Sequence, residues 1–252
     1  MRSFYSFIRG VFYLPFKILF PTKVLNYRNY PADERMITVS NHYRWVDIPL
    51  LVMNVRGYRH FIAKKEIGKN KFVRKIAEAF GVIFIDRGKP DLHAMRASIN
   101  ALKSGEGIAI FPEGTRNRAG DESLQAVKGG VTMLALKGDA PIVPLIIWKK
   151  ERIFRKNYIY VGEPFDLDEF KGRLLDSETI AEASNKVAEH MHRAQEDMEE
   201  WIREKKWIQE KREIKAVRKE QRALEKKAKK EYASCKKQYL KSARNNEGTE
   251  SK

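Results

Sequence analysis

The chain has one cysteine among 252 residues, Cys235, so it can form no disulfide within itself. A lone thiol without aligned His and Asn partners is not an activated nucleophile, and a reducing, cytosolic compartment is the simple expectation. No uncharged apolar run approaches the ~20 residues that a membrane-spanning helix needs. Residues 1–27 come nearest, but Arg2, Arg9 and Lys17 interrupt them, and Pro15 and Pro21 break the helical pattern. No cleavage site of small residues follows, which disfavours a signal peptide. The Gly-x4-Gly-Lys-Ser/Thr arrangement of a nucleotide loop is missing, and so is any Cys/His cluster with zinc spacing. No metal site is expected. His190 and His192 stand two apart, the wrong spacing for one helix face. From Ser177 onward glycine is absent until Gly248, and proline is absent altogether. That predicts one long helix, or two, running to about residue 241.

Acidic residues are outnumbered, 33 Asp and Glu against 50 Lys and Arg, giving a net charge of +17. Such a surplus predicts an anionic partner: nucleic acid, anionic lipid or a phosphorylated substrate. Residues 201–252 hold 18 Lys and Arg against 8 Asp and Glu. A sparse stripe there, Trp207, Ile214, Val217, Leu224, Ala228 and Tyr232, is interrupted by Gln221. A solvated tail, a basic helix lying on anionic lipid and a weak coiled coil all remain open for it. The hydrophobic fraction of 42% suits a globular protein with one sizeable core. In the first 27 residues, aromatics cover more than one helix face, which favours a segment lying in a membrane interface over one packed on the protein's own sheet.

Short apolar runs alternate with amphipathic ones along the middle of the chain. Residues 36–40, 58–63, 81–85, 107–111, 141–148 and 158–161 read as strands. Residues from 47, 69–80, 91–103 and 127–136 read as helices, with Asp91 as an N-cap, and Gly105 and Gly138 as stops. Alternation of this kind predicts an α/β fold: a mostly parallel sheet flanked by helices, here with an N-terminal interfacial helix and a long basic C-terminal helix. The expected organisation is a membrane-interface segment (1–27), an α/β domain (28–176), a basic helical extension (177–244) and a disordered tail (245–252).

Three of the strands run into turns that carry charge. The first meets Asn41-His42 and then Asp47; the others meet Asp86-Arg87 and Glu113-Gly114-Thr115-Arg116. On one regular helix His42 and Asp47 would point about 140° apart. They meet only if His42 lies in the turn and Asp47 in the first turn of the helix. That places an imidazole at the carboxyl end of a strand, where open α/β sheets hold their ligands. A carboxylate there would fix its tautomer and stabilise its charged form, making a general base.

Asn41-His42 with Asp47, residues 81–87, and Phe111-Pro112-Glu113-Gly114-Thr115-Arg116 resemble the first three sequence blocks of the 1-acylglycerol-3-phosphate (lysophosphatidic acid) acyltransferase family, within the glycerolipid acyltransferase superfamily. Ile142-Val143-Pro144-Leu145 resembles the fourth, and order and spacing match over about residues 20–195. Arg44 departs from the pattern, since many members carry serine there; this bears on the rim of the site and its substrate preference. Lys128-Gly129-Gly130 resembles a short element that shapes the site.

The resemblance implies acyl transfer from an acyl thioester, carried by acyl carrier protein or coenzyme A, to the hydroxyl of lysophosphatidic acid, giving phosphatidic acid. His42 and Asp47 would be the catalytic pair. Asn41, Arg87, Glu113, Gly114, Thr115 and Arg116 would bind substrate. The two arginines suit the phosphate, because a guanidinium donates to it bidentately. Glu113 would accept from the acceptor's hydroxyl or position the arginines. No cofactor is implied beyond the thioester substrate. The implied setting is peripheral, on the cytoplasmic face of a membrane with an anionic surface. Glycerol 3-phosphate, another lysophospholipid or a lyso-aminolipid remain alternative acceptors. A non-enzymatic basic protein binding RNA or lipid is the rival of a different class. RNA readers interleave aromatics with cations; this tail has few, and no nucleic acid is expected.

Overall fold

The computed structural model describes residues 2–31, 35–86, 91–117 and 123–247. Helix α1 (Arg2–Leu19) leads into β1 (Thr22–Leu25), then β2 (Ile37–Ser40) and α2 (Asp47–Asn54). Next come β3 (Arg59–Lys64), α3 (Lys71–Ala79), β4 (Ile83–Ile85), α4 (Leu92–Lys103) and β5 (Gly107–Ile110). After them follow α5 (Gly130–Gly138), β6 (Ile142–Ile147), β7 (Asn157–Val161), α6 (Ser177–Arg203) and α7 (Lys206–Glu247).

The seven strands form one sheet in the order β1-β7-β6-β2-β5-β3-β4. Every neighbouring pair is parallel except β6 and β7. This is the α/β arrangement expected from the alternation. β2 and β6 sit centrally, and every one of their residues is buried: β6 reads as an unbroken apolar run, while β2 alternates, its Thr38 and Ser40 hydroxyls donating to the Ile108 and Asn41 carbonyls. Pro144 is tolerated inside β6 because its missing N–H faces the β7 side, where regular pairing starts only at Leu145. There its carbonyl accepts the amide of Gly162 at 2.9 Å.

Asp91 caps α4 as expected, its side chain accepting from the amide of Ala94. Two expectations change. Pro15 does not end the N-terminal helix: α1 runs through it, and Phe20 N–H donates to the Phe16 carbonyl at 2.7 Å just beyond. Nor does the compact domain stop at residue 176. Helix α6 packs on β6, β7 and α5 through Ala183, Val187, Met191, Ala194 and Met198, a stripe at helical spacing. The two compact units divide after Arg203. Lys205 takes a left-handed φ of 53° between the last two helices. Helix α7, by itself, is continuous to Glu247, and Ile214, Val217, Leu224 and Tyr232 are exposed on it. It includes residues 245–247 of the expected disordered tail; the rest of that tail lies outside the described residues.

Candidate active site

Strands β5, β2 and β6 lie side by side and parallel, so their carboxyl ends open at one end of the sheet. At the end of β2 the chain turns tightly around a single oxygen. Asp47 Oδ2 accepts from the amide of Tyr43 at 2.6 Å, the amide of Arg44 at 2.7 Å and His42 Nδ1 at 2.8 Å. Asp47 opens α2, where the positive end of the helix dipole favours a carboxylate. It is fully buried, at 0% exposure, while the His42 side chain keeps 16%. An ionised carboxylate only accepts, so Nδ1 carries the hydrogen and Nε2 has the free lone pair. The Phe111 ring stacks on the imidazole at 4.0 Å between centroids and 18° between planes. The His42 carbonyl is pinned by Asn117 N–H at 2.7 Å.

At the end of β5, Gly114 takes a left-handed φ of 75°, and a Cβ there would lie 2.8 Å from Lys128 Nζ. The left-handed backbone favours glycine, whereas the flexible Lys128 side chain could move aside, and Lys128 closes the turn further by donating its amide to the Pro112 carbonyl at 3.0 Å. Glu113 is 3% exposed, and neither carboxylate oxygen has a hydrogen-bond partner among the described residues. Burial, with the nearby charge of Asp47 adding to it, pushes its carboxyl up to about 7. The amides of Gln125 and His42 offset part of that rise without reaching it as close hydrogen bonds. Of the two arginines that the sequence set beside Glu113, Arg116 makes no hydrogen bond to it and Arg87 lies outside the described residues. Thr115 and Arg116 are exposed beyond it, with the Thr115 hydroxyl 3.2 Å from Gln125 Oε1.

Asn41 requires a correction. Its amide donates to the Ile147 carbonyl and accepts the Ile147 N–H, both at 2.8 Å, and the residue is 1% exposed. Its polar groups are used in tying β2 to the end of β6, so it holds the frame rather than substrate. Arg87, the other expected phosphate ligand, lies outside the described residues, just past the end of β4.

Glu151 was missed from sequence. It sits in the loop after β6, buried, with Oε1 3.8 Å from Arg44 Nη1 and Oε2 without a hydrogen-bond partner among the described residues. Burial raises its carboxyl, and the charge of Asp47 adds to the rise. Its sequence neighbours Lys149, Lys150 and Arg152 are all cationic, so it reads as a surface counter-charge. The available signal was its place, directly after an apolar strand parallel to the one that ends at His42. Arg44, the departure noted above, thus has a buried carboxylate beside it. A second histidine–carboxylate pair, His60 Nε2 and Glu106 Oε2 at 2.8 Å, lies at the amino ends of β3 and β5, away from this crevice. Its Nδ1 is engaged by the Gly81 carbonyl at 2.7 Å, which leaves no free nitrogen for chemistry.

The family model described as Acyltransferase matches residues 21–148, the stretch that carries His42, Asp47, Glu113 and Arg116. The chain belongs to the acyltransferase family. It is 32% identical over 154 residues to the 1-acyl-sn-glycerol-3-phosphate acyltransferase of Bacillus subtilis, covering 59% of this chain and 75% of that one. It is 31% identical to the lyso-ornithine lipid O-acyltransferase of Pseudomonas aeruginosa, over 57% of this chain and 54% of that one. The crystal structure of the 1-acyl-sn-glycerophosphate acyltransferase of Thermotoga maritima superposes with a TM-score of 0.56 at 26% identity. That match covers 79% of this acyltransferase and 78% of the Thermotoga chain.

Proposed function

We propose that the protein transfers an acyl group from an acyl thioester to the free hydroxyl of lysophosphatidic acid, giving phosphatidic acid for phospholipid synthesis. The observation that carries this reading is the free Nε2 of an imidazole whose Nδ1 is held 2.8 Å from Asp47. Relatives named for this reaction supply the substrate class.

The acceptor hydroxyl donates to His42 Nε2. As its oxygen attacks the thioester carbonyl, the proton passes to Nε2, and Asp47 stabilises the imidazolium. The tetrahedral intermediate then collapses: the C–S bond breaks, and Nε2 returns its proton to the departing thiolate. One ester bond replaces one thioester bond, with no net change in protons. The donor arrives already activated, so no acyl-enzyme is needed, whether coenzyme A or a carrier protein bears the thiol. Arg116, exposed at the mouth of the crevice, suits the acceptor phosphate, and Arg87 is the second proposed ligand. Glu113, buried with both carboxylate oxygens lacking a hydrogen-bond partner among the described residues, is the proposed partner of the acceptor's hydroxyl.

Both lipid and product reside in a bilayer. No helix among the described residues is long and apolar enough to cross one. Helix α1 instead exposes Phe7, Val11, Phe12, Leu14 and Ile18, which suits a peripheral, interfacial attachment. A lyso-aminolipid acceptor is the second reading, favoured by the name of the Pseudomonas relative. Thiol release from an acyl thioester, measured against lysophosphatidic acid, glycerol 3-phosphate and lyso-ornithine lipid, separates them. Release driven most efficiently by lysophosphatidic acid supports the proposal. Release driven only by the ornithine lipid, or by none of the three, contradicts it.

A further inference from the structure

The loop between β6 and β7 carries two features that neither the catalytic pair nor the acceptor phosphate accounts for. Five cations, Lys149, Lys150, Arg152, Arg155 and Lys156, line one cavity of about 230 Å³. Trp148 and Tyr158 form its aromatic wall, edge to face at 5.5 Å, with Lys149 Nζ 4.9 Å from the Trp148 ring centroid. Ile153 and Phe154, at the tip of the same loop, are 59% and 69% exposed. Phe154 adopts a left-handed φ of 56°, a conformation that costs a bulky residue energy, to present its ring outward.

The position of the loop matters as much as its composition. β7 runs antiparallel to β6, and β6 parallel to β2, so the loop joining them lies at the end of the sheet where His42 stands. It is also fastened to the exit from α1. Phe154 N–H donates to the Leu19 carbonyl at 2.7 Å, and Asn157 N–H to the Pro21 carbonyl at 2.8 Å. The exposed tip therefore continues the apolar surface of Leu14, Ile18 and Leu19 on the last turns of α1.

We propose that the β6–β7 loop is a second membrane-docking element: Ile153 and Phe154 enter the interface, and the cationic cavity beside them receives headgroup phosphates of an anionic phospholipid bilayer. An apolar tip flanked by cations, with tryptophan and tyrosine at the level between them, matches the layering of a bilayer surface. A soluble polyanion would match the cations but would leave the outward apolar tip without a partner. Docking here would set the mouth of the His42 crevice against the lipid, so that an acceptor could enter without leaving the membrane. The inference rests on the reading of this protein as an enzyme of a membrane surface.

Co-sedimentation of the full chain with phosphatidylcholine vesicles, with and without phosphatidylglycerol, tests it. Arg152→Gln/Arg155→Gln should weaken binding to the phosphatidylglycerol vesicles about fivefold per charge, roughly 25-fold for the pair, at low salt. That gap should close as salt rises. Phe154→Asn, which keeps a left-handed backbone accessible, should weaken binding at every salt concentration. Thermal melting reports whether each variant folds. A gain-of-signal arm needs no loss of function: Ile153→Cys in a Cys235→Ser background, carrying an environment-sensitive dye, should shift to the blue on phosphatidylglycerol vesicles. Should the wild type bind and the loop variants bind as well, with no dye shift, the loop proposal is overturned and the membrane reading stands. A wild type that binds no vesicle overturns both. Loop variants that keep vesicle binding but lose affinity for acyl carrier protein would assign the cations to an acidic protein partner instead.

Discussion

Asp47 Oδ2, the oxygen that takes the Nδ1 hydrogen of His42 at 2.8 Å, also accepts the amides of Tyr43 and Arg44. One atom therefore shapes the turn and sets the tautomer. The five-residue spacing is explained by that closure, since the chain from 42 to 47 wraps around the carboxylate.

Asp47→Asn tests the coupling. An asparagine oxygen in the place of Oδ2 can accept the two amides and the Nδ1 hydrogen, but it is neutral. The imidazolium that forms during transfer is left without a counter-charge. Turnover should fall about 10²–10⁴-fold while the melting temperature changes little. Turnover near that of the wild type would remove Asp47 from the mechanism.

Glu113→Gln probes a buried charge. The Glu113 carboxyl titrates at about 7 in the folded protein against an ordinary value of 4.5, so its protonated form is favoured by folding. Its contribution to stability is present below pH 4.5 and is lost as the pH rises through about 7. Relative to wild type, the glutamine variant should gain stability across that window, by up to roughly 3 kcal/mol on the alkaline side. Denaturant melts at a series of pH values measure it, and a difference independent of pH contradicts the assignment.

Asn41→Ala should behave as a framework change. It strands the buried N–H and carbonyl of Ile147, at a cost of roughly 1–3 kcal/mol for each group. Stability should drop while the acceptor's KM stays near normal. A raised KM in a protein of unchanged stability would return Asn41 to the substrate.

These positions mark what could be read from the chain alone. The alternation of buried strands and amphipathic helices was legible, as were the Asp91 cap and the pairing of His42 with Asp47, because each rests on local spacing. The role of Asn41 was not, since its partner Ile147 is 106 residues away. Glu151 was hidden by the cations around it, and only the burial of its loop end reveals it. The boundary at residue 177 failed for a related reason. A loss of glycine and proline marks the start of a helix, but the stripe from Ala183 to Met198 decides that the helix belongs to the core.

Arg116→Ala separates binding from chemistry. With lysophosphatidic acid the KM should rise roughly ten- to hundredfold, the worth of one charge-assisted pair. The loss should shrink with an acceptor that lacks phosphate. Equal losses with both acceptors would take Arg116 out of the phosphate site.

In the proposed mechanism His42 Nε2 takes the proton from the acceptor hydroxyl. Thiol release by His42→Ala, with lysophosphatidic acid and an acyl thioester at saturating concentrations, tests it most directly. Turnover should fall by at least about 10²–10⁴-fold, with melting temperature and vesicle binding retained. A folded, vesicle-bound His42→Ala protein that turns over near the wild-type rate would contradict the account.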